Sequence, residues 1–180
     1  MIPELDNISD GEIVLLIVDV DKYHKAVLDI VNFFCDEKKG KGVFISISRS
    51  YERLKNTFKS SNISIDRLFF VDVVSKIVGL NVEDSDRCIF IEDPTNLVDI
   101  SVNVQKLLCN INNKNKFLVF DSISGLLLYN KSISIERFIH SFCCKMRSWN
   151  ITGIIMSIKG ELKEDMITTI SGFCDRTINI

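Results

Sequence analysis

Histidine, proline and glycine are scarce in this chain, at two, two and eight residues of 180. No G-x-G-x-x-G follows any predicted strand, which removes the simplest dinucleotide-binding reading, and no G-x-S-x-G elbow places a serine nucleophile. With only His24 and His140, and none of the six cysteines in a C-x-x-C pair, ligands at metal-binding spacing are missing. Cys35, Cys88, Cys109, Cys143, Cys144 and Cys174 lie mostly among apolar neighbours and read as buried free thiols of a reducing compartment. The adjacent Cys143 and Cys144 point to different faces of a helix, which argues against a zinc or redox role for that pair. A charge excess is also lacking. The balance of 22 basic and 24 acidic residues, net −2, argues against general affinity for nucleic acid, which comes from clustered Lys and Arg. The longest apolar runs, around residues 13–18 and 154–156, fall far short of the roughly 20 residues of a membrane helix. The first residues show no basic-then-apolar signal segment, so the expectation is a cytoplasmic protein with no membrane contact.

What is present is apolar periodicity. Hydrophobic residues make up 46% of the chain, enough to bury a core, and no linker, repeat or low-complexity segment divides residues 1–180, so one domain is expected. Ile and Val dominate a first strand at 13–18. Tyr23, Ala26, Val27, Ile30, Val31 and Phe34 then recur at helical spacing, with Gly40 and Gly42 closing that helix. The pattern continues with a strand at 43–47, a helix at 51–58, a strand at 68–71 ending on Asp72, and a short strand at 88–91. A helix at 97–109, a strand at 117–120 and a helix from Ser134 carrying Phe138, Ile139, Phe142 and Met146 follow. A strand at 152–158, a helix at 161–170 and a strand at 173–180 finish the chain. Strands alternating with helices predict an α/β, three-layer domain, its mostly parallel central sheet covered by helices on both faces.

The stretch Lys116-Phe117-Leu118-Val119-Phe120-Asp121 organises the rest. Its apolar run reads as a strand buried on both faces, and Asp121 falls at the carboxyl end, where open α/β sheets place their ligands. A plainer role is an N-cap or turn aspartate accepting backbone N–H bonds, and Asp72 and Asp175 read as structural strand-end residues. Glu92 and Asp93 are expected to cap the helix begun by Thr95 and Asn96. Arg137, Lys145 and Arg147 give one helix some positive charge, either a solvated face or a small surface for an anionic partner. Trp149, with Tyr129 and the leucines at 126–128, is either core or a protein-contact patch.

The order of elements and several strings resemble the KaiC-like branch of the RecA-type P-loop nucleoside triphosphatases, of the archaeal KaiC-like type. Asp121-Ser122 after the 117–120 strand looks like the family's Walker B strand and following serine. Gly42-Val43-Phe44-Ile45-Ser46-Ile47 looks like its second strand, and Met146-Arg147-Ser148 before Thr152-Gly153-Ile154-Ile155-Met156 like its helix-to-strand passage. Cys174-Asp175-Arg176-Thr177-Ile178 resembles its closing strand, so the likeness covers nearly the whole chain.

The same resemblance marks two departures. Where the family carries its phosphate-binding loop, G-x-x-x-x-G-K-[ST], this chain reads Val18-Asp19-Val20-Asp21-Lys22-Tyr23-His24-Lys25, without glycine. Val18, Val20 and Tyr23 resist positive-φ geometry, and Asp19 and Asp21 bring negative charge to where a triphosphate would lie. His24 stands at the family's lysine and Lys25 at its Ser/Thr. Where the family places a pair of catalytic glutamates after the second strand, this chain has Ser48-Arg49. The expectation is therefore a pseudoenzyme: a degenerate KaiC-like domain without cofactor, acting through a protein partner or as a homo-oligomer, as a regulatory or structural subunit. The alternative is an ATP-binding ATPase with an atypical site, in which Lys22, Lys25, Asp121 and Ser122 hold the nucleotide and Asp121 holds magnesium through water.

Overall fold

The computed structural model describes residues 2–180. Its strands are β1 (Ile13–Val18), β2 (Lys41–Ser46), β3 (Leu68–Asp72), β4 (Cys88–Phe90), β5 (Lys116–Asp121), β6 (Thr152–Ile158) and β7 (Arg176–Asn179). The helices are α1 (Tyr23–Asn32), α2 (Tyr51–Ser60), α3 (Leu97–Asn110), α4 (Ser132–Ser148) and α5 (Glu164–Ser171). All seven strands pair in parallel, in the order β4-β3-β2-β5-β6-β1-β7.

Side chains alternate across a strand, and β1 shows why its whole sequence is apolar. Ile13, Leu15 and Ile17 enter the core beneath α3, α4 and α5, whereas Val14, Leu16 and Val18 enter the core beneath α1 and α2. In β5, Leu118 and Phe120 face the first of these cores and Phe117 and Val119 the second. Phe120 meets Phe138 and Phe142 of α4 edge-on, with ring centroids 6.1 Å away in each case. Burying one such ring contributes about 1.5–3 kcal/mol, and truncating it to alanine costs more because a cavity remains. These two cores fix β5, and with it the position of Asp121.

Gly42 lies inside β2 and does not close α1 as expected; that helix runs instead into a π-helical turn at Phe33–Glu37. The glycine answers to close approach: a Cβ there would stand 2.5 Å from the Phe117 carbonyl oxygen on neighbouring β5. The last strand is shorter than the 173–180 run predicted. Residues 173–175 precede it as a linking segment, fastened by Arg147 to the Phe173 carbonyl and by the Asp175 carboxylate to the Ile13 N–H, each at 2.8 Å. The expected contact patch does not form as one surface. Trp149 caps the C-terminus of α4 and Leu128 precedes its N-terminus, so a 17-residue helix about 25 Å long separates them. Leu126 is buried, while Leu128 is 80% exposed. Among the described residues no helix is long and apolar enough to cross a membrane.

Candidate functional site

The chain leaves β1 and crosses to β2, beyond β6 and β5, so the carboxyl ends of β1 and β5 flank the topological switch of the sheet. Three segments meet there. Asp121 ends β5 in register with Ser46, the last residue of β2. Arg49 lies three residues further on, in the bend before α2, and its carbonyl accepts the Ser46 hydroxyl. Tyr23 is the first residue of α1, and four residues separate it from the end of β1. The Tyr23 hydroxyl donates to Asp121 Oδ1, and Arg49 Nη2 donates to Oδ2 at 2.8 Å. The Arg49 guanidinium also sits over the Tyr23 ring, 5.9 Å from its centre. Both carboxylate oxygens are thus engaged, and Asp121 is 0% exposed.

Burial pushes the Asp121 carboxyl up to about 7, because a charge removed from water is disfavoured. The adjacent guanidinium pulls the other way. Burial, with repulsion from Arg53, lowers the pKa of Arg49, but an arginine side chain stays protonated in a protein. The cluster is therefore a buried ion pair with a phenol donor on its second oxygen. Such a pair adds little net stability, yet losing one partner costs about 3–5 kcal/mol because a buried charge is left alone.

Asp121 does not take the backbone N–H bonds of a cap or turn aspartate, since its carboxylate accepts from side chains. That backbone role falls to Asp72, which accepts the N–H groups of Tyr51, Val74 and Ser75 and the Ser75 hydroxyl at 2.6–2.8 Å. Asp175 is structural too, holding the Ile13 N–H and Arg147. Asp93 turns the chain onto Thr95, while Asn96 caps α3 through the Asp99 N–H at 3.2 Å. On α4, Lys145 bonds the Ser101 hydroxyl and Arg147 bonds Asp175, so only Arg137 of the three basic residues lacks such an anchor among the described residues.

Ser122 is buried; its hydroxyl shares a hydrogen bond of 2.7 Å with Ser124, whose hydroxyl reaches Glu161 beyond β6. Lys22, at 55% side-chain exposure, pairs with Asp19 at 3.2 Å, and Lys159 takes the other Asp19 oxygen at 3.2 Å. The hydrogen bonds from Lys22 and Lys159 hold the Asp19 carboxyl below its usual range. Lys22 and Lys25 line a separate surface hollow of about 490 Å³ with Ile2, Glu4 and Asn179. His24 is exposed. The structure therefore gathers Tyr23, Arg49 and Asp121, and sets Lys22 and Lys25 at another surface. Among the described residues no group of three or more His, Cys, Asp or Glu could hold a metal ion.

From the sequence, Arg49 stands where a base would be, without its counter-ion, and Tyr23 belongs to an apolar helix stripe and to the glycine-free stretch 18–25, with no sign of its bond to Asp121. The available signal was that the Tyr23 hydroxyl is the one polar group on that stripe.

An all-parallel sheet of this order, with helices on both faces and an aspartate at the switch, defines a RecA-type domain. The family model for the KaiC ATPase matches residues 1–174, and the chain belongs to that family. Among solved structures, a KaiC-like protein of the hyperthermophilic archaeon Pyrococcus horikoshii aligns at 16% identity and TM-score 0.71, over 96% of this chain and 72% of that one. The flagellar accessory protein FlaH of Methanocaldococcus jannaschii aligns at 16% identity and TM-score 0.68, over 98% of this chain and 76% of that one. At such identities the likeness concerns the fold. No curated protein matches the chain.

Proposed function

We propose that this chain is a KaiC-family domain that has kept the RecA-type fold, has lost triphosphatase chemistry, and acts through protein contacts as a regulatory or structural subunit. The observation that carries the reading is the occupation of both Asp121 oxygens by Tyr23 and Arg49. In this family reading, Asp121 would meet a magnesium ion; here a guanidinium already supplies the cation, inside a site with no exposed carboxylate surface. The link from β1 to α1 is the four residues 19–22, without glycine, and Val20 in it is 72% exposed. Asp19 and Asp21 would meet a triphosphate with like charge, at about 1–4 kcal/mol per close pair depending on exposure. These residues do not fit a magnesium–triphosphate. Arg49 in place of a glutamate also leaves no general base there.

The test is a thermal-shift titration with ATP and magnesium. Binding at 100 times the dissociation constant would add about 2.7 kcal/mol of stability and a clear rise in midpoint. The expected result is no shift at millimolar nucleotide. A rise that Asp121→Ala abolishes would overturn the reading in favour of an ATP-binding enzyme with an atypical site.

A further inference from the structure

On α4, His140, Cys143 and Arg147 are spaced at three and four, so one face of the helix carries all three. That face runs along residues 173–175. The His140 ring meets Phe173 with centroids 4.8 Å apart, and Arg147 Nη2 donates to both the Phe173 carbonyl and Asp175 Oδ1 at 2.8 Å. Cys174 is therefore held between two fastened neighbours on the helix face that carries Cys143, and the two thiols influence each other's ionisation. The segment is pinned from its other side as well: Asp175 exchanges hydrogen bonds of 2.8 Å with the Ile13 N–H and carbonyl at the start of β1.

The two sulfurs sit in different surroundings. Cys143 is fully buried, whereas Cys174 is partly exposed, and Cys144 beside them is exposed. The Cys143 hydrogen bond lowers the Cys174 thiol below its ordinary value, against the effect of burial and with help from the Arg147 charge. The same bond, together with burial, pushes Cys143 up. Access thus falls on one sulfur, and a buried thiol stands on the helix face next to it.

We propose that Cys174 and Cys143 form a dithiol site for hydroperoxides, with Cys174 as the nucleophile and Cys143 as the resolving thiol. The Cys174 sulfur attacks hydrogen peroxide; an S–O bond forms, the O–O bond breaks, and one water leaves as the sulfur is oxidised to sulfenic acid. The Cys143 sulfur then attacks the Cys174 sulfur. The S–S bond forms, the S–O bond breaks, and the hydroxyl leaves with the thiol proton as a second water. Two thiols and one hydrogen peroxide give one disulfide and two waters. The product ties α4 to the segment that opens β7 and is pinned to β1.

The test uses the reduced full chain, treated with hydrogen peroxide and mapped by mass spectrometry without reductant. The expected product is an intramolecular Cys143–Cys174 link, with loss of two hydrogens and a midpoint raised by roughly 5–10 °C. Cys143→Ser should leave a dimedone-reactive sulfenic acid on Cys174, and Cys144→Ser should change nothing. Oxidation of Cys144 or Cys109 ahead of Cys174, or a link between two chains, would overturn the proposal. Should Cys143→Ser fail to fold, alkylation rates on the unaltered chain decide the matter. Cys174 must then react faster than the more exposed Cys109 and Cys144, and the reverse order refutes the assignment.

Discussion

Asp121 is fully buried, with the Arg49 guanidinium 2.8 Å away. Burial already raises the Asp121 carboxyl from 3.8 to about 7 with Arg49 in place, and in Arg49→Met, with no cation opposing burial, it rises further. A folded value above the unfolded one contributes stability that is complete below about pH 4 and lost as the pH rises through 7. The parent chain should therefore lose stability across that interval, and the variant should lose more, measured by urea denaturation at several pH values. Asp121→Asn added to Arg49→Met should remove the dependence; a variant whose stability rises with pH would contradict the pairing. Tyr23→Phe tests the second oxygen. Deleting a hydroxyl that bonds a buried carboxylate should cost about 1.5–3 kcal/mol, with the ring's packing retained. A near-neutral result would mean that the phenol does not hold Asp121.

At the scale of elements, the strands were the most legible part of the sequence, because β1 and β5 are buried on both faces and must be apolar throughout. Their ends were less so, since ends are set by distant partners. The 173–175 segment looks like strand, yet it is held by α4 and by Ile13, 162 residues from Asp175 in the sequence. Gly42 reads as a helix stop until β5 is beside it, when the Phe117 ring and carbonyl explain it. Asp72 is a comparable junction, since one carboxylate serves the start of α2 and the turn after β3. Asp72→Ala would strand these N–H groups and the Ser75 hydroxyl, at about 1–3 kcal/mol for each that water does not reach. The expected loss is several kcal/mol, with faster amide hydrogen exchange at Tyr51, Val74 and Ser75 before the rest of the sheet. Exchange that quickens uniformly would show that Asp72 is no local clasp.

For the whole molecule, the strand order makes the candidate site. Tyr23 and Arg49 lie 98 and 72 residues from Asp121, and only the placing of β5 between β2 and β6 brings all three to one point. The sequence could mark Asp121 as a strand end and Arg49 as a misplaced charge, but not their contact. The same topology bears on assembly. A nucleotide alters a RecA-type fold only through differential contacts with two states, and here the residue that would sense it is already pinned from two elements. Self-association or partner binding should then be independent of nucleotide. Light scattering of the full chain over a wide concentration range, with and without ATP and magnesium, checks this. The expected mass exceeds that of the monomer and is unchanged by nucleotide. A mass that ATP shifts would restore the nucleotide as an effector. A strict monomer at high concentration with no partner would remove the protein-contact reading, because that reading rests on contacts alone.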